Sequence, residues 1–302
     1  MAGITLLDGG MGQELIHRAG DRPTPLWSTT VMMDHPGLVG QVHDAYFAAG
    51  ATVATTNTYA IHRDRLVKAG IEDRFAALHA LALDAAAASR VAAGHGRPGL
   101  RIAGSIGPLV ASYRPDTHPP HDIAVALYAE VAGLLSPRVD LILAETVASV
   151  AHARAVLQGV RGAGVPVWLS VTVDDRDGGL LRSGEPVAEV VAVAQAGGAA
   201  ALLANCSAPE AMARALDDLA QAGLPFGAYA NGFTMITADF LQDSSTVDAL
   251  QTRRDLGPDI YAGFAMEWVA QGATIVGGCC EVGPAHIAAL HKALIAAGHR
   301  VV

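Results

Sequence analysis

The sequence is poor in the features that mark several protein classes. It has only 3 cysteines, 16% charged residues and 5% aromatics in 302 residues. Three thiols are too few for a secreted disulfide scaffold and an odd number for pairing. With 20 basic against 29 acidic residues, a formal charge of −9 and no basic run, nucleic acid and anionic membrane surfaces are excluded as partners. No uninterrupted apolar stretch reaches the ~18 residues of a spanning helix, since the most apolar region, Ala188 to Ala204, is broken by Glu189 and Gln195. The N-terminus lacks a basic segment followed by an apolar stretch and cleavage site, so it does not read as a signal peptide. A cytoplasmic enzyme is the expectation. What the chain has in abundance is aliphatic material, 51% hydrophobic residues in all, enough for a large core.

That material is distributed in a regular way. Short apolar runs ending in small polar residues recur at Ile4–Asp8, Ala51–Thr56, Arg101–Ser105, Asp140–Glu145, Pro166–Val173, Ala200–Asn205, Phe226–Ala230 and Thr274–Val276. Buried parallel strands read this way. Between them lie helical segments at Ile71–Val91, Ala124–Leu135, Val147–Val160, Val187–Gly197, Glu210–Ala222, Tyr261–Gly272 and Pro284–Ala297. Gly50, Gly70, Gly197, Gly223 and Gly272 are placed as left-handed helix caps. The alternation predicts an α/β fold, a single-domain (β/α)8 TIM barrel over residues 1–302. An open doubly wound sheet is the alternative, but Gly9-Gly10-Met11-Gly12 lacks the dinucleotide spacing and no P-loop occurs. The longest irregular stretches, Ser112–Asp122, Asn231–Asp259 and Asp174–Pro186, follow strands 3, 7 and 5, on the face where barrels carry their sites.

The cysteines fall on that same face. Cys206 lies just past strand 6, and Cys279 and Cys280 just past strand 8. Three converging thiols point to a soft metal, Zn²⁺ first. Adjacent cysteines reach one ion only if the backbone leaves strand geometry, which Gly277 and Gly278 allow. A vicinal disulfide or three independent buried thiols are the alternatives. Three protein ligands leave one tetrahedral position open. Zinc with three thiolates is net negative and a poor source of hydroxide, yet it still lowers the pKa of an incoming thiol. Thiol alkylation is therefore favoured over hydrolysis. Twelve histidines are present, none in a zinc-binding frame such as H-E-x-x-H.

With Leu7-Asp8-Gly9-Gly10-Met11-Gly12, Thr55-Thr56-Asn57-Thr58-Tyr59, Gly104-Ser105-Ile106-Gly107-Pro108, Ala144-Glu145-Thr146, Asn205-Cys206 and Gly277-Gly278-Cys279-Cys280 in this order, the chain resembles the homocysteine S-methyltransferase family over essentially its full length. The resemblance implies zinc-dependent methyl transfer to the thiol of homocysteine, giving methionine. It implies Cys206, Cys279 and Cys280 as zinc ligands, with Asp8, Gly9, Gly10, Met11 and Glu145 binding the amino-acid end. Glu145 suits the ammonium, and the N–H groups of the glycine turn suit the carboxylate. A barrel-mouth carboxylate paired with Arg or Lys is the alternative for Glu145, and an Asx-type bond to the glycine turn is the alternative for Asp8. Asn231 stands where related barrels place a polar residue near the metal, or else in an ordinary Asn-Gly turn. Thr56, Asn57 and Asn205 are candidate supporting donors, or caps of the helices that follow.

Donors in this family are cationic: S-methylmethionine, S-adenosylmethionine or betaine. Trp27 is the candidate aromatic face for the cation, with Tyr59 and Phe233 behind it, and packing on the barrel edge is the alternative for Trp27. The chain is more compact than betaine-using relatives, which places it in the S-methylmethionine-type branch. Betaine, another sulfonium, or a different thiol or selenol acceptor would use the same chemistry. A non-catalytic zinc or thiol barrel is a further alternative. The departure from the family pattern is Glu281, where a basic residue often stands. The expected partners are small-molecule substrates, with a homo-oligomer left open.

Overall fold

The computed structural model describes residues 3–20, 24, 26–95, 97, 99–237, 239–242 and 249–302. All eight expected strands form, as β1 (Gly3–Leu6), β2 (Val53–Thr55), β3 (Arg101–Ile106), β4 (Leu141–Val147), β5 (Val167–Val171), β6 (Ala201–Asn205), β7 (Phe226–Tyr229) and β8 (Ile275–Val276). A ninth, β9 (Arg300–Val301), has no counterpart in the sequence expectation and pairs with the outer side of β1. All pairings are parallel, in the order β2-β3-β4-β5-β6-β7-β8-β1-β9. This is a curled parallel sheet, and its two ends approach one another. Leu7 bridges Val53, and the Thr52 N–H donates to the Leu6 carbonyl at 2.8 Å.

The helices are α1 (Met11–Ala19), α2 (Ser28–Asp34), α3 (Pro36–Ala49), α4 (Arg63–Lys68), α5 (Phe75–Gly94), α6 (His121–Leu135), α7 (Val150–Gly159), α8 (Ala188–Gly197), α9 (Pro209–Leu219), α10 (Pro258–Ala270) and α11 (Pro284–Ala296). Four of them, α1 to α4, were not among the expected helices. α1 and α4 are short, and Pro36 separates α2 from α3 by occupying the first turn of the latter, where its missing N–H costs nothing. The expected Val147–Val160 helix loses its first turn because β4 runs on to Val147, and Ser149 then caps α7 by accepting from the His152 N–H. Gly197 is still helical, and the left-handed cap is Gly198 at φ 75°. α5 with the turn before it is long and apolar enough to cross a membrane by composition alone. It packs on α3, however, and its Asp84 and Arg90 sit in ion pairs with Arg138 and Asp140.

Two apolar layers follow from the strand alternation. Leu7, Val53, Leu141, Leu143, Leu203 and Ile275 fill the concave side of the sheet, while Ile4, Leu6, Ile102, Ile142, Leu202 and Val276 face the helices. Successive residues of a strand point to opposite faces, so each strand supplies both layers.

Candidate active site

One cavity of about 500 Å³ opens where the strands end, and it draws its wall from the segments after β1, β2, β3, β4, β6, β7 and β8. The three cysteines meet there. Their sulfurs lie within 4.8 Å of one another, and Cys206 and Cys279 are joined as a disulfide with Cα atoms 5.6 Å apart. Neither alternative for the cysteines holds: the bond is not vicinal, and the thiols are not independent. Tetrahedral zinc with bonds of about 2.3 Å separates its ligand sulfurs by about 3.8 Å. The trio fits that spacing once the disulfide is reduced. Burial, with Glu281 and Glu145 nearby, pushes the Cys280 thiol up to about 12.

The backbone at the site is held in costly conformations. The non-glycine residues with positive φ among the described residues are Trp27, Val110, Tyr113, Thr146, Cys206 and Glu281. Each lines the cavity or is adjacent in sequence to a residue that does. Such conformations persist only where the surroundings enforce them. At Thr146 the enforcer is Asn205, whose Oδ1 accepts from the Thr146 N–H at 2.9 Å and whose Nδ2 donates to Thr146 Oγ1 at 3.0 Å. Asn205 thus braces the β4 end rather than capping a helix.

Glu145 sits at that end, 8% exposed. It accepts from the Ser105 hydroxyl and, at 3.2 Å, from the Tyr229 hydroxyl, and no Arg or Lys pairs with it among the described residues. Its carboxyl is pushed up to about 7 by burial. Asp8 is 2% exposed and likewise raised to about 7, chiefly by burial and further by the charge of Glu145. Its bonds run to β2: the Thr55 N–H donates at 2.6 Å and the Thr55 hydroxyl at 2.7 Å. These bonds, not the alternative Asx bond to the glycine turn, hold it. The pair leaves the cavity with an unneutralised acidic end.

The glycine turn is only partly free. The Gly10 N–H donates to the Val282 carbonyl at 3.0 Å, so it cannot receive a substrate carboxylate as expected. A Cβ on Gly10 would lie 2.6 Å from the Cys279 carbonyl oxygen, which explains the glycine: the turn packs directly on the cysteine loop. Met11 and Gly12 begin α1 beside the cavity, and first-turn N–H groups have no intrahelical acceptor.

Trp27, Tyr59 and Phe233 all line the cavity. Trp27 stands edge-on to Tyr59 with ring centroids 5.8 Å apart, and it also packs against the core. Thr56 and Asn57 are in the wall too, but their polar atoms are engaged: Thr56 Oγ1 accepts from the Ser105 N–H at 3.1 Å, and Asn57 Oδ1 from the Ser28 hydroxyl at 2.7 Å. Asn231 adopts the turn that was its alternative, while its neighbours Ala230 and Gly232 bond to the backbone of Cys279 and Cys280. It is 2% exposed, is not in the cavity wall, and its Oδ1 accepts from the Phe233 N–H at 3.1 Å, the geometry of an Asx turn. Part of its loop, 238 and 243–248, lies outside the described residues, as does Pro25 before Trp27.

Some residues of the site were missed by the sequence reading. Tyr229, Gln13, Arg65 and Lys68 were not singled out, and Ser105 appeared only within a motif. Polar residues ending apolar strands, as Ser105 and Tyr229 do, were the available signal. Asp175 and Arg182 carried none. They form a buried pair at 2.8 Å, and Asp175 also accepts from the Ala208 and Ile236 N–H groups, tying together the loops after β5, β6 and β7.

Comparison with known proteins agrees with this geometry. The homocysteine S-methyltransferase family pattern matches residues 5–294. Homocysteine S-methyltransferase of Escherichia coli is 31% identical over 95% of this chain and 94% of its own. Selenocysteine Se-methyltransferase of Brassica oleracea is 24% identical over 97% of this chain and 89% of its own. The crystal structure of the homocysteine methyltransferase MmuM from Escherichia coli, in its metallated form, superposes with a TM-score of 0.81 at 29% identity, covering 96% of both chains.

Proposed function

The chain belongs to the homocysteine S-methyltransferase family, and from that premise we propose how its residues share the transfer of a methyl group from a cationic donor to homocysteine. The observation that carries the reading is the meeting of three cysteine sulfurs and two buried, unneutralised carboxyls in one cavity. Glu145 pairs with the homocysteine ammonium, held in place by Ser105 and Tyr229. The free N–H groups at the start of α1, Met11 and Gly12, take the carboxylate, with Gly9 lining the approach. Asp8 adds negative charge at the ammonium end and ties it to β2.

This arrangement leaves the substrate sulfur facing Cys206, Cys279 and Cys280. In their reduced state these three would hold Zn²⁺, which supplies a lowered pKa for the fourth, substrate sulfur. Methyl transfer forms the S–CH₃ bond of methionine as the donor's C–S⁺ bond breaks. The electron pair departs on a neutral thioether, and the thiol proton goes to solvent. No general acid is required, so the residues must mainly align the sulfur, methyl and leaving atom and exclude water. Trp27 with Tyr59 and Phe233 forms an aromatic wall suited to a sulfonium. A selenol acceptor would use the same groups, in keeping with the Brassica oleracea relative.

Two structural readings accompany the function. We take the sheet to be a closed (β/α)8 barrel in a single domain spanning 1–302, because the Leu7–Val53 bridge joins its ends. We also place the protein in the cytoplasm, since a three-thiol site needs a reducing compartment.

The decisive experiment incubates the reduced, zinc-loaded protein with homocysteine and S-methylmethionine, S-adenosylmethionine or betaine in turn. Methionine is expected with a sulfonium donor, and none with any donor overturns the reading. Cys206→Ser is expected to lose both zinc stoichiometry and turnover.

A further inference from the structure

The cavity is electrically asymmetric, and methyl transfer as derived above uses only its acidic end. The side formed by α4 and the segment after β3 carries Arg65, Lys68 and Arg114. Arg114 is already committed, with Asp116 facing its guanidinium at 2.7 Å and the Leu241 carbonyl accepting from Nη1. Arg65 is not. Its Nη2 donates to the Pro108 carbonyl at 3.0 Å, and its Nε–H is buried without an acceptor. Asp64 beside it accepts from the Val110 N–H instead. Neither Arg65 nor Lys68 has an ion-pair partner among the described residues.

Arg65 and Lys68 are three residues apart on one helix, so they share a face and repel each other. A partly buried guanidinium with an orphaned N–H is unfavourable until an acceptor completes it, and beside a second cation an anionic acceptor also offsets the charge. A plain cation entering this cavity would meet that repulsion as well. A donor bringing its own anion would relieve both. We propose that Arg65 and Lys68 form an anion subsite for a carboxylate on the methyl donor. A carboxylate-bearing sulfonium such as S-methylmethionine would then lie with its methyl-bearing sulfur toward Trp27 and the cysteine sulfurs and its carboxylate toward α4. This rests on the methyltransferase reading and deepens it by assigning the donor's anionic end.

The test compares S-methylmethionine with its carboxamide, using the zinc-loaded, reduced full chain, Arg65→Gln and Lys68→Gln. Initial rates give KM for donor and for homocysteine, and calorimetry gives donor affinity independently of turnover. The unsubstituted protein should favour the carboxylate by about tenfold or more, the scale of a charge-assisted hydrogen bond. Both variants should lose most of that preference, with carboxamide affinity and homocysteine KM within about twofold of the parent. Arg65→Lys should retain the preference. Lys68 is exposed, so its substitution guards against a folding defect arising from the Arg65–Pro108 contact. Equal affinity for both donors, or an unchanged ratio in both variants, overturns the subsite. So does a rise in homocysteine KM alone, which would seat the acceptor's carboxylate there. Absence of methionine with either donor counts against the methyltransferase reading, while the calorimetric ratio still decides the subsite.

Discussion

Trp27 and Gln13 are joined by a hydrogen bond of 2.9 Å, from the indole Nε1 to the amide Oε1. The other end of the amide, Nε2, donates to Glu281 at 2.5 Å, so opposite partners fix its orientation. Glu281, the departure from the family pattern, is thereby the far anchor of the aromatic wall. Accepting from the indole N–H also makes the ring face more negative, which favours a cation against it. Gln13→Leu is expected to raise the donor KM by roughly two- to tenfold, the scale of one hydrogen bond, and leave homocysteine KM unchanged. Steady-state kinetics with each substrate varied would show this.

Glu145→Gln keeps the shape of the side chain and removes the charge offered to the ammonium. A loss of about 10- to 100-fold in kcat/KM for homocysteine is expected, carried mainly by KM, since charge-assisted bonds contribute about 1.5–3 kcal/mol. An unchanged homocysteine KM would contradict the assignment.

Asp8 and Glu145 both sit with pKa values raised to about 7 by burial, against ordinary values of 3.8 and 4.5. Between about pH 4 and 7 the folded protein therefore holds protons that the unfolded chain has released. Stability from this source is fully present below pH 4 and is lost as pH rises through 7. In thiol-reduced, metal-free protein, Tm should fall across that window by several degrees, at roughly 2 °C or more per kcal/mol. The Asp8→Asn, Glu145→Gln double variant should show a flatter profile.

The Asp175–Arg182 pair is nearly inaccessible, with side chains 9% and 10% exposed. Asp175→Ala strands a buried guanidinium and two backbone donors. A loss of about 3 kcal/mol or more is expected, measured by denaturant unfolding. Because this pair ties three loops of the cavity mouth together, donor and acceptor KM should rise together.

The strands were legible because parallel strands buried on both faces become continuous apolar runs, as in the first four residues of β4 and of β6. α4 was not legible, having only six residues, nor was β9, whose two residues gain their structure from pairing with β1. In the site, residue type and position at a strand end sufficed to place Cys206, Cys279, Cys280 and Glu145 in one cavity. What escaped were partnerships across long sequence separations, such as Asp8 with Thr55 and Gln13 with Glu281. Asn231 shows the converse: its Asn-Gly pair signals a turn as strongly as a ligand, and in the fold its side chain closes the turn.

The left-handed residues ringing the cavity set a trade-off for engineering. At about 1–2 kcal/mol per residue, replacement by glycine at Trp27, Val110, Tyr113, Thr146, Cys206 or Glu281 would relieve backbone strain. At Trp27 and Cys206 the side chain surrendered is one on which the proposed chemistry depends. Because Trp27, Tyr113 and Cys206 are also packed, glycine there forfeits about as much packing as the strain it relieves or more, so the strained rim offers little room for stabilisation. Selection for heat resistance and turnover together should find its gains in the outer helices.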